Sequence, residues 1–265
     1  MSGLPDKTAV IYGGSGAIGG AVARAFAREG ARVFLTGRRR ESAEAVAKDI
    51  VSAGGIAEAA EVDALDEEAI DRHLQSVTER TGRIDISFNA VSFPIKPGLG
   101  IPMTELNVDD LSMPVTNYAR TYFLTSRLAA RRMIPNKSGV IMTLSAPPAR
   151  MGYALSGGYG ASQAAKEALT RDFSAELAAH RIRVVTLCSY AVPDTTTVKE
   201  IYEGRAKSLG GITWEQWLGY LTSATHTKRA MTLTEVADVA AFVASDKASG
   251  MTGTIVNLSM GSIPD

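Results

Sequence analysis

The sequence predicts a single-domain α/β fold, with a doubly wound parallel sheet of about seven strands and helices on both faces. Short strand-like apolar segments alternate with helix-like segments from the N-terminus onward. Parallel strands joined by crossover helices produce that alternation. The chain of 265 residues is 45% hydrophobic, so it can bury one large core. We therefore expect one domain over residues 1–265.

The predicted elements follow one another in a regular order. The strands are Thr8 to Tyr12, Arg32 to Thr36, Ile56 to Val62, Ile84 to Asn89, Val140 to Leu144, Arg183 to Leu187 and Thr254 to Leu258. The helices are Gly19 to Glu29, Arg40 to Ala53, Asp66 to Thr81, Val115 to Met133, Tyr159 to Ala179 and Leu233 to Ala244. Ile18, Val22 and Phe26 share one face of the first helix, which Gly30 ends. The early connections are short enough for crossovers between parallel strands.

Residues 191–228 do not fit this alternation. The segment lacks a strand pattern and contains both tryptophans of the chain. We therefore predict a small helical insert, with helices at Thr195 to Ala206 and Thr213 to Thr222, of the kind that covers a binding site. Its large apolar side chains, with one just beyond it, are Tyr202, Trp214, Trp217 and Met231. They form either a lid over a substrate or the core of the insert itself.

Composition and charge exclude several classes of function. Lysine plus arginine equals aspartate plus glutamate at 28 each, so no summed field steers the protein toward nucleic acid or an anionic membrane. Cys188 is the only cysteine, and His73, His180 and His226 lack metal-ligand spacing, so we expect neither a disulfide nor a metal site. Met1 to Thr8 shows no secretory pattern, and no apolar run reaches about 18 residues. We expect a cytoplasmic protein with a small-molecule substrate and no nucleic-acid or membrane partner.

A glycine-rich turn follows the first predicted strand. Gly14, Gly16 and Gly19 form the pattern G-x-G-x-x-G at the start of the first helix. Backbone amides and the helix dipole can face a pyrophosphate there, as in Rossmann folds that bind dinucleotides. The alternative is a tight turn that serves only to reverse the chain. Its position between a strand and a helix favours the dinucleotide.

The end of the second predicted strand reads Thr36-Gly37-Arg38-Arg39-Arg40. An NAD-specific site has an acidic side chain here, which holds the 2′-hydroxyl of the ribose. A guanidinium can instead form a forked hydrogen bond with a 2′-phosphate, so Arg38 and Arg39 predict NADP(H) in preference to NAD(H). The alternative is a solvated positive helix start, which the helix dipole opposes.

Four further stretches carry a resemblance to a known family. They are Asn117 within a long helix, the strand end Thr143-Leu144-Ser145, the run Tyr159-Gly160-Ala161-Ser162-Gln163-Ala164-Ala165, and Leu233-Thr234-Glu235-Val236-Ala237-Asp238-Val239-Ala240. With the turn written Gly13-x-x-x-Ala17-x-Gly19, the chain resembles the short-chain dehydrogenase/reductase family over nearly its whole length. The resemblance implies a tyrosine that exchanges a proton, a serine that orients the substrate carbonyl, a lysine that holds the nicotinamide ribose, and an asparagine that supports a water chain.

The lysine of that set is missing, because position 163 is glutamine. Gln163 lies one helical turn after Tyr159 and can still hydrogen-bond a ribose hydroxyl, but it carries no charge. A cation at roughly 5 Å, in an effective dielectric of about 20, is worth on the order of 3 kcal/mol, or about two pKa units on a phenol. We therefore expect Tyr159 to stay protonated at neutral pH and to favour carbonyl reduction over alcohol oxidation.

Two neighbouring positions are ambiguous. Lys166 follows Tyr159 with the Tyr-x6-Lys spacing of enoyl-thioester reductases, but the flanking residues align Gln163 with the usual lysine. Lys166 is therefore interpreted as a surface charge. Ser145 lies one residue farther from Tyr159 than is usual in the resembled family, and the usual spacing falls on Ala146. One residue of register decides whether the Ser145 hydroxyl reaches the site, and the sequence leaves this open.

Three positions have more than one interpretation. Asp63 lies where the resembled family contacts the adenine, but it could equally cap the helix beginning near Asp66. Asn89 lies in a stretch similar to the family's Asn-Asn-Ala-Gly, but it could simply tie two strands together. Ser189-Tyr190 replaces the family's Pro-Gly. Tyr190 either fills part of the nicotinamide pocket, forms a new wall for the substrate, or packs under the insert.

The candidate catalytic residues are Tyr159, Ser145, Asn117 and Gln163. The candidate cofactor-binding residues are Gly13, Ser15, Gly16, Ile18, Gly19, Arg38, Arg39, Asp63, Asn89, Tyr159 and Gln163. Two hypotheses follow: an NADPH-dependent reductase of a small carbonyl or enoyl substrate, or a regulatory subunit, lyase or isomerase on the same scaffold that transfers no hydride. The two long helices are where the resembled family packs, which implies a homodimer or homotetramer.

Overall fold

The computed structural model describes residues 3–206 and 210–263. Within them, seven parallel strands form one sheet in the order β3-β2-β1-β4-β5-β6-β7. The strands are β1 (Thr8–Tyr12), β2 (Arg32–Gly37), β3 (Ile56–Glu61), β4 (Ile86–Asn89), β5 (Gly139–Ser145), β6 (Ile182–Ser189) and β7 (Thr254–Leu258). The predicted fold class is confirmed.

Helices cover both faces of the sheet. They are α1 (Ala17–Arg28), α2 (Arg40–Ser52), α3 (Glu67–Thr81), α4 (Val108–Met133), α5 (Tyr159–Leu177), α6 (Thr196–Arg205), α7 (Trp214–Ser223) and α8 (Leu233–Ala244). One core cluster joins α1, α2 and α8 to one face through side chains such as Phe26 and Val243. A second joins α3, α4 and α5 to the other face through Leu74, Leu128 and Leu177. In this described part of the chain, no helix has the length and apolar character needed to span a membrane.

Alternate side chains of β1 enter the two cores. Ala9 and Ile11 belong to one cluster, whereas Val10 and Tyr12 belong to the other. All residues of the strand are buried, as expected for the centre of a parallel sheet that is covered on both faces. This double burial explains why the strand is an almost unbroken apolar run rather than an alternation of apolar and polar residues.

The strand order changes direction between β1 and β4. Strand β1 pairs with β2 on one side and with β4 on the other, and Tyr12 at the end of β1 lies opposite Asn89 at the end of β4. Ligands of open α/β sheets bind in the crevice outside the carboxyl ends of strands at such a switch point. The topology therefore brings the glycine turn and the segment after Asn89 to the same edge of the sheet.

Helix α4 begins at Val108, earlier than the predicted start at Val115. Asn107 caps it by accepting a hydrogen bond from the amide of Asp109. Pro114 lies inside the helix, although its ring and missing N–H usually end a helix. Pro114 is buried against Gly158, the residue that precedes α5. This packing between helices outweighs the local cost of the proline, which directly precedes the predicted start at Val115.

The predicted insert contains α6 and α7, each within one residue of its expected bounds. The side chains of Thr195 and Thr213 cap these helices by accepting hydrogen bonds from the amides of Val198 and Gln216. Residues 207–209 of the predicted insert lie outside the described residues. The threonine caps explain why both starts could be predicted from sequence.

The Gly19→Ala substitution tests the contact that seats α1 on the sheet. A Cβ at Gly19 would lie 2.3 Å from the carbonyl oxygen of Gly13, so the helix would have to move. We expect the free energy of unfolding, measured with urea, to fall by about 1–3 kcal/mol, the usual cost of overpacking.

Gly20→Ala is the matched control for this substitution. A Cβ at Gly20 meets the guanidinium of Arg24 at 3.2 Å, the far end of a flexible side chain that can shift while it keeps its exposed ion pair with Asp49. Better helix propensity is expected to make this variant as stable as the wild type or more stable by up to about 1 kcal/mol. Equal stability of the two variants would contradict the account.

Candidate active site

One cavity of about 220 Å³ lies at the carboxyl ends of the central strands. Its wall includes the start of α1, the loops after β4, β5 and β6, the first turns of α5, and parts of α6 and α7. A single cavity therefore joins the predicted cofactor turn, the predicted catalytic tyrosine and the predicted insert.

The glycine turn is held by close backbone contacts and is open toward the cavity. Gly13 has a φ of +72°, and a Cβ there would lie 2.7 Å from the carbonyl oxygen of Ala90. Gly16 and Ser15 are exposed, and Gly16 and Ile18 line the cavity. No side chain caps the N-terminus of α1. Its first amides are therefore available to an anion, and this arrangement fits a pyrophosphate.

Two guanidinium groups stand beside this turn. Arg38 and Arg39 are exposed immediately after β2, and neither forms an ion pair within the described residues. Arg40, the next residue, pairs with Glu44 at 2.7 Å. The hydroxyl of Ser15 lies close to Gly37, which places the turn next to the end of β2. Positive charge without an ion-pair partner among the described residues therefore lies at the end of β2.

Asp63 is exposed after β3, and its carboxylate accepts a hydrogen bond from the amide of Leu65 at 2.9 Å. The cap of α3 is Asp66, which accepts from the amide of Ala69 at 3.1 Å. Of the two interpretations of Asp63, the capping role therefore belongs to Asp66.

Asn89 fastens the end of β4 to its surroundings. Its Nδ2 donates to the hydroxyl of Thr125 in α4 at 2.9 Å, and its Oδ1 accepts from the amide of Val91 at 3.2 Å. Its backbone carbonyl accepts from the hydroxyl of Thr143 in β5. The amide of Asn89 is thus used within the protein, where it fixes the strand end beside the cavity.

Tyr159 is the first residue of α5, and it lies in the wall of the cavity with 9% of its surface exposed. Its ring meets the ring of Tyr118 edge-on at 6.5 Å. Burial raises the pKa of the Tyr159 phenol far above its usual range, and the neighbouring Tyr118 and Cys188 act in the same direction. The phenol therefore holds its proton at neutral pH, in agreement with the expectation from the glutamine at position 163.

Gln163 lines the cavity one turn further along α5 and is only 2% exposed. Its Nε2 donates to the hydroxyl of Ser162 at 3.0 Å, and that hydroxyl donates to the backbone carbonyl of Tyr159. The amide is therefore turned back onto its own helix. The second N–H of this amide and its carbonyl oxygen are not used in that hydrogen bond and can still bind a ribose hydroxyl.

Ser145 also lies in the cavity wall, but its proton is used elsewhere. Its hydroxyl donates to Glu167 Oε1 at 2.8 Å, and Arg150 Nε donates to the other carboxylate oxygen at 3.1 Å. Ala146, at the usual spacing, packs against the cluster that contains Tyr159. The hydroxyl expected to orient a substrate carbonyl instead ties β5 to α5.

Asn117 is half-buried in α4. Among the described residues that line the cavity, α4 contributes Tyr118 rather than Asn117. The hydroxyl of Tyr118 accepts a hydrogen bond from the amide of Phe93 at 3.2 Å. The structure therefore brings Tyr159, Gln163 and Ser145 to one cavity and leaves Asn117 behind its wall.

The interpretation of Lys166 as a surface charge is wrong. Lys166 is 5% exposed, lines the cavity, and holds its Nζ 4.8 Å from the centre of the Tyr118 ring. Burial lowers the pKa of its ammonium to about 7, although the adjacent Glu167 acts in the opposite direction. Helical spacing places Lys166 on the same face as Tyr159 and Gln163. The sequence predicted an exposed side chain because lysine is rarely buried.

Of the three interpretations of Tyr190, the structure confirms that it packs under the insert. It lines the cavity and packs in one cluster with Trp217 beneath the insert. Tyr202 and Trp214 meet edge-on at 5.2 Å in the same cluster. Met231 belongs to a different cluster. The aromatic residues of the insert therefore form its core, and Trp217 also faces the cavity.

The described part of this wall has no acidic side chain. Among the described residues that line the cavity, none is an aspartate or glutamate. Across the described residues, no three histidine, cysteine, aspartate or glutamate side chains are grouped as a metal ion would require. The arrangement can donate protons and hydrogen bonds, but it offers no carboxylate base.

Sequence reasoning missed three residues at this site. Tyr118 adjoins the predicted Asn117, and its signal was only an aromatic residue on a buried helix face. Glu167 next to Lys166 resembles an exposed charge pair on a helix, and Arg205 in the insert belongs to no recognisable pattern. Only tertiary packing reveals all three.

A switch-point glycine turn and a buried tyrosine in the adjoining cavity define a Rossmann-type oxidoreductase. A family model described as enoyl-(acyl carrier protein) reductase matches residues 14–262. Sorbitol dehydrogenase from Cereibacter sphaeroides is 35% identical over 182 residues, covering 68% of each chain. (+)-Borneol dehydrogenase 2 from Salvia officinalis is 26% identical over 251 residues, covering 94% of this chain and 87% of that one.

Comparison with solved structures agrees. The crystal structure of sorbitol-6-phosphate 2-dehydrogenase SrlD from Erwinia amylovora has a TM-score of 0.89 and 26% identity, over 97% of this chain and 100% of that one. The chain belongs to the short-chain dehydrogenase/reductase family. The resemblance stated from the sequence is confirmed.

The Lys166→Met substitution tests the burial of the lysine. In the unfolded chain the pKa is near 10.5, whereas in the folded protein it is about 7. The lysine therefore destabilises the fold increasingly as the pH falls from 10.5 toward 7, and fully below that. We expect Lys166→Met to raise Tm, and to raise it more at pH 6 than at pH 10.

Lys48→Met, at an exposed lysine of α2, controls for the general effect of losing one positive charge. It is expected to change Tm little at either pH. A gain for Lys166→Met that is the same at both pH values, or a loss at pH 6, would show that the ammonium is solvated.

Proposed function

We propose that the protein is an NADPH-dependent reductase of a small carbonyl or enoyl compound. The observation that carries the proposal is the single cavity shared by the glycine turn and the buried phenol of Tyr159. Membership of the family supports hydride chemistry on a nicotinamide cofactor. The unpaired Arg38 and Arg39 support the phosphorylated form of that cofactor.

In this proposal, the two ends of the cofactor meet different parts of the chain. The turn that receives the pyrophosphate consists of Gly13, Ser15, Gly16, Ile18 and Gly19. Arg38 and Arg39 bind the 2′-phosphate, while Asp63 and Asn89 border the adenosine at neighbouring strand ends. Gln163 holds the nicotinamide ribose through its amide. When bound, the reduced nicotinamide supplies a hydride.

Tyr159 acts as the general acid. It donates its proton to the carbonyl oxygen while the carbonyl carbon gains the hydride, so C=O becomes CH–OH and the cofactor is oxidised. The tyrosinate then regains a proton from solvent. Because the phenol is strongly protonated and position 163 carries no charge, donation is favoured over abstraction. Ser145 assists by positioning α5 through its hydrogen bond to Glu167. Asn117 assists by positioning α4, in which it adjoins Tyr118 of the cavity wall.

A second candidate is a protein that keeps the nucleotide site without hydride transfer, as a regulatory or partner subunit, a lyase or an isomerase. The neutral glutamine at position 163 and the bond of the Ser145 hydroxyl to Glu167 favour it, because the cation and the free hydroxyl that the resemblance implies for hydride transfer are then lacking. Binding of NADPH to the wild type without turnover of any carbonyl compound, with turnover appearing only in Gln163→Lys, identifies this alternative.

We also propose a homodimer or homotetramer built through α4 and α5. Phe123 on α4 is 39% exposed and packs against Phe173 on α5 with ring centres 5.8 Å apart. The guanidinium of Arg127 lies over the ring of Phe123. Symmetric pairing of these helices would remove the apolar surface from water, and the mass in solution decides between dimer and tetramer.

The Arg38→Ala and Arg39→Ala variants test the cofactor preference. Each removes a guanidinium that has no ion-pair partner among the described residues. We expect NADPH affinity to fall by about tenfold per charge-assisted contact, with NADH affinity within about twofold of wild type. Fluorescence titration with each cofactor measures both constants.

Arg40→Ala is the matched control, because Arg40 is already paired with Glu44. It is expected to leave both affinities unchanged. A wild type that binds NADH as tightly as NADPH, or arginine variants that weaken both equally, would remove the basis for the preference.

The Gln163→Lys variant tests the protonation state of Tyr159. In the wild type, alcohol oxidation should keep rising with pH through the alkaline range, because the raised pKa of the phenol delays formation of the base. A lysine at this position should shift that rise to lower pH by about two units. Rates against pH in both directions provide the measurement, with Gln163→Met as the uncharged control. Comparable rates of reduction and oxidation near pH 7 in the wild type would refute the asymmetry.

A further inference from the structure

The insert places two nitrogen donors without acceptors at the cavity. The Nε of Arg205, at the end of α6, and the Nε1 of Trp217, in α7, are buried and lack hydrogen-bond partners among the described residues. Both residues line the cavity. A buried N–H without an acceptor destabilises a fold, and such groups are rare in native proteins. These two donors therefore indicate a ligand that brings its own acceptors.

The two donors belong to one structural unit. The guanidinium carbon of Arg205 lies 5.7 Å from the centre of the Trp217 ring, so the ring supports the cation from one side. Trp217 is 2% exposed and is held in a cluster with Tyr190 and Leu221. This packing keeps both donors in place before any ligand arrives, which lowers the entropic cost of binding.

The charged side chains described in the wall of the cavity carry one sign. Among the described residues that line it, the charged ones are Arg205 and Lys166, and none is an aspartate or glutamate. Arg205 presents a planar guanidinium, whose geometry matches a carboxylate. Its charge also reaches Tyr153, another residue of the wall, because it opposes the effect of burial on the pKa of that phenol. The carboxylate of Glu167, which accepts from Ser145 of the wall, is itself paired with Arg150, so an anionic group entering the cavity meets positive potential at Arg205.

The remaining wall limits the size and character of the ligand. Ile201, Leu221 and Tyr190 give it apolar surfaces, and the volume of about 220 Å³ admits only a small body. A carboxylate has two oxygens that can each accept one of the two free N–H groups. A phosphate dianion would bring more acceptors and more charge than two such donors satisfy.

We propose that Arg205 and Trp217 form a carboxylate site, and that the natural substrate is a small carbonyl compound that carries a carboxylate. The carboxylate is held at the insert while the carbonyl oxygen faces Tyr159. The second part of this inference rests on the proposed reductase function. The first part does not, since binding of a carboxylate requires neither cofactor nor turnover.

The test uses Trp217 itself as the reporter. The Trp214→Phe variant leaves Trp217 as the only tryptophan of the chain, and its fluorescence is titrated with benzoate and with benzamide, which have similar shapes and differ in charge. The titration is done at pH 8, where the lysine with a pKa of about 7 is mostly neutral. We expect benzoate to bind at least about tenfold more tightly than benzamide.

Variants on the Trp214→Phe background assign the preference to one cation. Arg205→Gln should reduce it to about threefold or less, whereas Lys166→Met should retain most of it. Arg205→Lys, which keeps the charge without the Nε donor, should give an intermediate value. Circular dichroism and Tm confirm that each variant folds. If Arg205→Gln does not fold, Arg205→Lys takes its place.

Three outcomes overturn the carboxylate site: equal binding of benzoate and benzamide, a preference that disappears in Lys166→Met but persists in Arg205→Gln, or tighter binding of phenyl phosphate than of benzoate. A separate assay with NADPH and a keto acid with its amide tests turnover. Preference for benzoate without turnover of either compound would leave the site in place and reject the reductase. Turnover of both compounds at equal kcat/KM would support the reductase and reject the assignment of the substrate.

Discussion

The close contact between the backbones of Gly13 and Gly19 fixes how the first helix meets the sheet. There is no room for a side chain at either residue, because Gly13 also lies against the carbonyl of Ala90. This contact directs the uncapped amides of α1 toward the edge where β1 and β4 diverge. The cavity, the cofactor turn and the position of the second strand end all depend on that seating.

The chemistry of the site follows from one face of α5. Tyr159, Gln163 and Lys166 share this face, and all three are buried in the same wall. Burial opposes the charged form of each ionisable group, which raises the pKa of the phenol and lowers that of the amine. Burial therefore favours the neutral form of both groups, the protonated phenol of Tyr159 and the uncharged amine of Lys166. At neutral pH the phenol of this site is therefore present in its protonated form, the form a general acid requires, and not as a base.

Much of this molecule could be predicted from sequence, because its elements carry local signals. The buried run of β1, the glycines of the turn and the threonine caps of α6 and α7 each reflect short-range physics. The start of α4 could not be predicted, since the contact that holds Pro114 comes from the segment before α5. Local rules end a helix at a proline, whereas packing can carry the helix across it.

The site was predictable in its backbone and less so in its side chains. The turn and Tyr159 lie where the sequence placed them, because their positions depend on the sheet topology. The partner of the Ser145 hydroxyl is set by Glu167, which is distant in sequence and would be interpreted as a surface residue. Lys166 is buried against Tyr118 for the same reason. Long-range contacts decide which polar groups face a cavity, and local sequence patterns do not reveal those contacts.

The three-way link of Ser145, Glu167 and Arg150 makes one half of the cavity stiff. Directional hydrogen bonds join β5, the loop after it and α5 into one unit around the proton donor. The other half consists of aromatic rings that are packed within the insert by apolar contacts. Replacements in the insert can thus reshape what is recognised while the proton donor keeps its place. Such a division lets a lineage explore new metabolites through a few substitutions in one short segment, without having to rebuild its chemistry each time.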